Sequence, residues 1–194
     1  MKVEFLSKSV GFLLLFTSSV VFAQKATYKV DVSKSSIAWE GKKLTGSHQG
    51  TINFSKGQLL FDGKKLIGGT FTANMTSLKE AENNERLTAH LKNDDFFGVD
   101  KFPEADFVIR KIAGSGNQFT VTGDMTIKGK TNSLSFPVNV SWGADKSVTA
   151  TAENVVIDRT KYGIEYKSKS VFSTLGNNFI NDDFAITVRM VGIK

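Results

Sequence analysis

Cysteine is absent from this 194-residue chain. That excludes disulfides, thiol catalysis, cysteine-based zinc sites, iron–sulfur clusters and a cysteine-linked lipid anchor. Histidine is almost as scarce, with only His48 and His90, so one chain cannot assemble a metal site of three imidazoles. There are 2 prolines, which leaves no proline-rich linker. The longest apolar run, Val10–Phe22, is about 13 residues, well short of the roughly 20 needed to span a bilayer as a helix. Arginine is limited to Arg86, Arg110, Arg159 and Arg189. The net charge of +6 is therefore carried mainly by scattered lysines, as on a solvated surface with a weak attraction to anionic lipid that allows transient contact with a membrane surface.

What is present fits an ordinary globular domain: 40% hydrophobic, 11% aromatic and 23% charged residues. Lys2 and Lys8 precede the apolar run, which ends Val21-Phe22-Ala23 with small residues at the −3 and −1 positions of a cut after Ala23. This is the pattern of a secretory signal peptide over residues 1–23, with residues 24–194 as one mature domain. Export without cysteine points to a bacterial periplasm or the medium. Export also counts against nucleic acid as a partner.

The mature chain alternates apolar and polar residues over short windows, the period of half-buried strands. Phe119, Val121, Met125 and Ile127 share one face of Asn117–Lys128. Leu134, Phe136, Val138, Val140 and Trp142 share a face of the next window, and Phe184, Ile186, Val188 and Met190 of the last. Alternation is weaker in Ser36–Glu40, Thr45–Phe54, Leu66–Met75, Ala105–Ile112 and Ser147–Ile157. Ser55-Lys56-Gly57, Asp62-Gly63, Gly114-Ser115-Gly116 and Gly143-Ala144-Asp145 read as turns. Ser77-Leu78-Lys79-Glu80 matches a capping box, with Leu87, His90 and Leu91 following at helical spacing, so one helix is expected within Ser77–Lys92. A second short helix or turn is expected near Ser170–Asn177. The fold class is thus all-β, an antiparallel barrel or sandwich with one inserted helix. An eight-stranded barrel can be filled by side chains or can hold one small ligand, and the pattern leaves both open.

Candidate chemistry is sparse. His48 has the parity of Ile52 and Phe54, which turns it toward the apolar side, and Gly46 and Gly50 on its face leave room beside the imidazole. His90 reads as packing between helix and barrel. Asp94, Asp95, Asp100, Glu104 and Asp106 lack the spacing of a calcium loop and read as carboxylates capping backbone amides. No phosphate loop, nucleophile elbow or HExxH motif occurs. No catalytic residue, cofactor or metal is assigned. The inward parity set Trp39, Phe71, Met75, Phe107, Phe119, Met125, Ile127, Phe136, Trp142 and Phe184 is expected to line or approach an elongated cavity. His48 and Tyr162 are the candidate polar contacts.

His90-Leu91-Lys92 followed by Asp95-Phe96-Phe97, Lys101-Phe102-Pro103, Ala105 and Phe107 closely resembles the signature of the YceI-like family. Gly46-Ser47-His48-Gln49-Gly50, Gly123–Thr131 and Asp158-Arg159-Thr160-Lys161-Tyr162-Gly163 resemble further family elements in the same order. The resemblance implies an eight-stranded antiparallel lipocalin-like barrel. It also implies a binding role without catalysis, the ligand being a polyisoprenoid or another long-chain amphiphile such as an isoprenoid quinone or fatty acid. A lipid-acting enzyme using His48, or a filled-barrel surface protein, are the alternatives.

Overall fold

The computed structural model describes residues 25–172, 174 and 176–194. The expected signal peptide lies outside the described residues, as do Ser173 and Leu175 of the expected second helix. Around them, Ser168–Phe172 forms a single turn closed by the Phe172 N–H on the Ser168 carbonyl at 2.9 Å.

Nine strands form one antiparallel sheet: β1 Lys25–Val30, β2 Ser36–Lys43, β3 Gly46–Asp62, β4 Lys65–Glu80, β5 Glu104–Ser115, β6 Gln118–Ile127, β7 Lys130–Trp142, β8 Val148–Asp158 and β9 Ile180–Ile193. Each strand from β2 to β9 pairs with the next, and β2 also pairs with β9, which closes the sheet into an eight-stranded barrel. The extra strand β1 does not add a ninth position. It pairs with Gln58–Asp62 of β3 and with Gly192–Ile193 of β9, whereas β2 pairs with Gly46–Ile52 and Ile180–Arg189 of the same neighbours. The two strands therefore lie end to end in one slot of the barrel, separated by the Asp31–Ser35 corner. Asp31 holds that corner by accepting from the Ser33 N–H and hydroxyl.

Extra residues bend the long strands. Ser55 has no partner opposite it in β4, so the segment expected as the turn Ser55-Lys56-Gly57 is instead a bulge inside β3. A bulge shifts the side-chain parity by one. Accordingly Ile52 and Phe54 point inward before it and Leu59 and Phe61 after it. Arg110 does the same in β5, and the stretch Glu153–Asn154 in β8, where Ala150 and Ala152 give way to Val155 and Ile157. β6 and β7 pair without any shift. Their connection Lys128-Gly129 is a two-residue turn with both φ positive, at 50° and 72°, as a type I′ hairpin requires.

The helix is shorter than expected. β4 continues through Glu80, and α1 spans Glu85–Lys92. Ser77 is not the cap: its hydroxyl accepts from the Asn53 N–H and donates to the Asn74 carbonyl, which stitches a strand irregularity. The N-cap is Asn84, whose side chain accepts from the Leu87 N–H at 3.0 Å. Glu80 is buried at 2% exposure and turns the chain into the helix by accepting from the N–H groups of Glu82 and Asn84.

Alternate connections reach opposite ends of an up-and-down barrel. The upper end carries the Leu44-Thr45 turn, the α1 segment, the Lys128-Gly129 turn and the long β8–β9 connection. The lower end carries the other turns, and there Tyr28, Phe61 and Trp142 pack edge to face with ring centroids 4.9–5.6 Å apart. This aromatic cluster is a solid plug.

Trp39 lies directly across from Gly50. A Cβ on Gly50 would meet the Lys79 carbonyl oxygen at 2.0 Å and the Trp39 indole at 2.7 Å, so the room expected beside His48 is occupied by the indole. Gly50→Ala should therefore cost at least the ~1–3 kcal/mol of an overpacked core. Gly41→Ala, where nothing lies within 4 Å of the new methyl, should be close to neutral. Urea unfolding of the two variants measures the difference.

Candidate functional site

Above the plug, small residues open the barrel. Ala73 and Ala105 are direct partners on β4 and β5, and Ala150 and Ala152 face inward from β8. Around them Ile37, Phe54, Phe71, Phe107, Met125, Phe136 and Ile186 leave a lower cavity of ≈ 100 Å³ with almost wholly apolar walls. An upper cavity of ≈ 110 Å³ is walled by Trp39, His48, Ile52, Leu78, Phe184 and side chains of the α1 segment, Leu87, Leu91, Phe96 and Phe97. The two meet one rung apart: Ile37 and Trp39, Phe54 and Ile52, and Ile186 and Phe184 are neighbouring inward positions on β2, β3 and β9. One rung of two residues is about 7 Å along a strand. The upper cavity shares Lys43 and Asn181 with an open groove of Lys42, Leu44, Gly46, Ser47 and Phe179 at the rim, which makes this groove the candidate entrance.

Of the residues expected from parity, Trp39, His48, Phe71, Phe107, Met125, Phe136 and Phe184 form cavity walls. Met75, Phe119 and Ile127 are buried in packed layers outside those walls, and Trp142 belongs to the plug. Tyr162 is buried in the short 3-10 helix Arg159–Tyr162, also away from both walls. Burial, and next the charge of Asp158, push its phenol pKa up. The parity reading missed the α1 side chains and the alanines. The alanines had a signal: small residues at inward positions opposite large ones mark where a barrel interior is left open.

Polar groups at the upper end mostly hold the caps in place. Arg159 is buried and donates to three backbone carbonyls, those of Asn181, Ile164 and Ile180, at 2.7–3.0 Å. Asp182 lies 3.5 Å away as an ion-pair contact. Burial lowers the Arg159 pKa while Asp182 and Asp158 oppose that shift. Gly163 ends the turn in the left-handed region at φ 72°, where glycine is favoured. His90 packs edge-on between Phe96 and Tyr166 at 5.0 and 4.8 Å, tying α1 to the β8–β9 connection. The acidic stretch departs from expectation. Asp94 pairs with Lys101 at 2.6 Å, Asp106 accepts from the Thr72 hydroxyl and Glu104 lies against Ser55 and Lys56. Lysines and hydroxyls, rather than backbone amides, satisfy these carboxylates, and Lys101 holds the Asp94 pKa low.

His48 sits at the entrance with its Nδ1 3.9 Å from Oε1 of Glu80, beyond hydrogen-bond reach. Among the described residues no serine, aspartate or glutamate forms a hydrogen bond with its ring. The same residues contain no group of three or more His, Asp or Glu side chains placed to hold a metal.

A closed barrel with a plugged floor and stacked apolar voids beneath a rim entrance is a lipocalin-like architecture. The chain belongs to the YceI-like family, whose domain model matches residues 28–192. A UPF0312 protein of Staphylococcus aureus (strain USA300) is 37% identical over 105 residues, which cover 50% of this chain and 58% of that protein. The chain thus spans little more than half the length of the curated relatives it matches. The crystal structure of Burkholderia cenocepacia BcnA superposes with a TM-score of 0.70 at 25% identity, over 84% of this chain and 98% of that one. A polyisoprenoid binding domain from Saccharophagus degradans gives 0.64 at 12% identity, over 89% and 98%. A Campylobacter jejuni YCEI protein gives 0.56 at 21% identity, over 100% and 99%. At 12% and 21% identity the likeness concerns the fold.

Met125 tests whether the lower cavity is usable space. Met125→Trp should be accepted with less than ~1 kcal/mol of lost stability, against the ~1–3 kcal/mol expected of a solid core, because the larger ring enters the void. Thermal unfolding of the variant checks this.

Proposed function

We propose that the chain is an exported binding protein that sequesters or carries one long-chain lipid in the barrel: a polyisoprenoid, an isoprenoid quinone or a fatty-acid-like amphiphile. The observation that carries this reading is the alignment of two apolar cavities between a rim entrance and the Tyr28–Phe61–Trp142 plug. A linear apolar chain fits a blind tunnel of that kind. The polyisoprenoid binding named for the Saccharophagus degradans neighbour supports the same class of ligand. Each CH₂ moved from water to the interior gains about 0.8 kcal/mol, so ten carbons would gain roughly 8 kcal/mol before the cost of ordering the chain. A polar head stays at the rim near His48, where hydration is retained.

No catalytic step is assigned. Among the described residues His48 has no hydrogen-bonded partner, and the lower cavity wall is apolar apart from Thr151. The sequence of residues 1–23 supports delivery to the periplasm or the medium, where a carrier shields an apolar chain from water.

Protein purified from the exported fraction without detergent should begin at Gln24 by intact mass, allowing for cyclisation of that glutamine. Organic extraction and mass spectrometry should release a long-chain lipid near one per protein. A stable exported form that keeps Met1–Ala23 would contradict export with cleavage. Protein that contains no lipid, and takes up none from isoprenoid or fatty-acid suspensions, would contradict the binding role.

A further inference from the structure

The entrance rim combines exposed apolar side chains with lysines, and the acids nearest to it, Glu40, Glu165, Asp182 and Asp183, flank its two segments rather than lie within them. Gly41–Ser47 contains Lys42, Lys43 and Leu44, and Tyr166–Asn181 contains Lys167 and Lys169; neither segment has an aspartate or glutamate. The pairing of Lys43 with Ile180, and of Ile180 with Ser168, sets the two segments side by side. Leu44 is 56% exposed, Val171 43% and Phe172 46%. Lys169 lies over the Phe179 ring at 4.9 Å, on the wall of the entrance groove. Lys42 is partly neutralised by Glu40 at 3.2 Å, whereas Lys43, Lys167 and Lys169 have no carboxylate within 4 Å among the described residues.

Leu44, Val171 and Phe172 stand on two paired segments, and apolar side chains exposed together and rimmed by polar ones mark an interaction surface. Lysines interleaved with them select the cover. Apolar side chains that enter the boundary between headgroups and acyl chains, flanked by lysines on phosphates, are how a protein rests on an anionic bilayer. We propose that this rim docks on the headgroup layer of an anionic phospholipid membrane and turns the barrel entrance toward the lipid. This deepens the carrier reading and rests on it for its purpose, since a cargo chain could then pass between bilayer and cavity without crossing water. The acidic side of the upper end, with Asp94, Asp95, Asp100 and Glu104, would be held away from the surface, so contact is one-sided.

Co-sedimentation of the full chain with phosphatidylcholine vesicles, with and without phosphatidylglycerol, tests the proposal. The parent should bind the anionic vesicles, and binding should weaken as salt rises. Lys167→Glu with Lys169→Glu, and separately Leu44→Ser with Phe172→Ser, should each reduce partitioning about tenfold or more while leaving the melting temperature unchanged. Ile67→Ser with Ile193→Ser, comparable exposed residues at the lower end, should change nothing. Docking is overturned if the parent does not bind anionic vesicles, if binding survives both rim changes, or if the lower-end changes weaken it equally. A dimer in solution that the rim changes dissolve, without vesicle binding, also overturns it and assigns the patch to a second copy. Lipid extracted from the same preparations separates the two readings. Cargo without vesicle binding removes docking alone, and vesicle binding without any cargo removes the carrier reading alone.

Discussion

The pairing of β2 with β9 closes the sheet, and that closure governs the rest of the molecule. Once the ladder returns on itself, every strand has a partner on both sides and every inward side chain faces one shared interior. The floor of that interior is fixed by Tyr28, Phe61 and Trp142, brought together because β1 shares a slot with β2 and supplies the ring that β2 is too short to reach. The open space is then set by residue size. Phe107 and Phe136 pack 5.1 Å apart while the alanines on β4, β5 and β8 line the same cavity and leave room in it.

An empty apolar void of ≈ 100 Å³ costs on the order of 2–3 kcal/mol relative to a filled core. A hydrocarbon chain bound there would remove that cost and so couple ligand affinity to stability. The upper end makes the coupling possible. α1, the Lys128-Gly129 turn and the β8–β9 connection are fastened independently of any ligand: by His90 between two aromatic rings, by Lys128 on the Asp94 carbonyl and by Arg159 on three carbonyls. His90, Lys128 and Arg159 all lie in segments that resemble the family signature, so these parts of the signature act as fasteners of the upper end.

The legible parts of the fold were those that keep a single side-chain parity. β6, β7 and β9 keep one parity along their length, and their inward residues could be read directly from the alternation. β3, β5 and β8 each carry one extra residue, which turns a clean alternation into two half-strands of opposite phase, and β4 carries Ile67 and a longer irregularity over Met75–Leu78. For that reason Ser55-Lys56-Gly57 reads as a turn, and Val156, with the apolar look of a core residue, is exposed. The helix start was misplaced because Ser77 and Glu80 have capping chemistry but spend it on a strand irregularity and on the approach to Asn84. At the site, large inward residues were identifiable by parity. Whether each one lines a cavity or sits in a packed layer depends on which alanine or glycine stands across the barrel, a long-range property absent from any local window.

The central claim is that the interior accepts an extended hydrocarbon chain down to the aromatic plug. Binding affinity measured against a series of isoprenoid alcohols of increasing length tests it most directly. The account predicts affinity that rises with each added unit and then levels off once the chain reaches the Tyr28–Phe61–Trp142 floor. Affinity independent of chain length would place the ligand on the surface and contradict it.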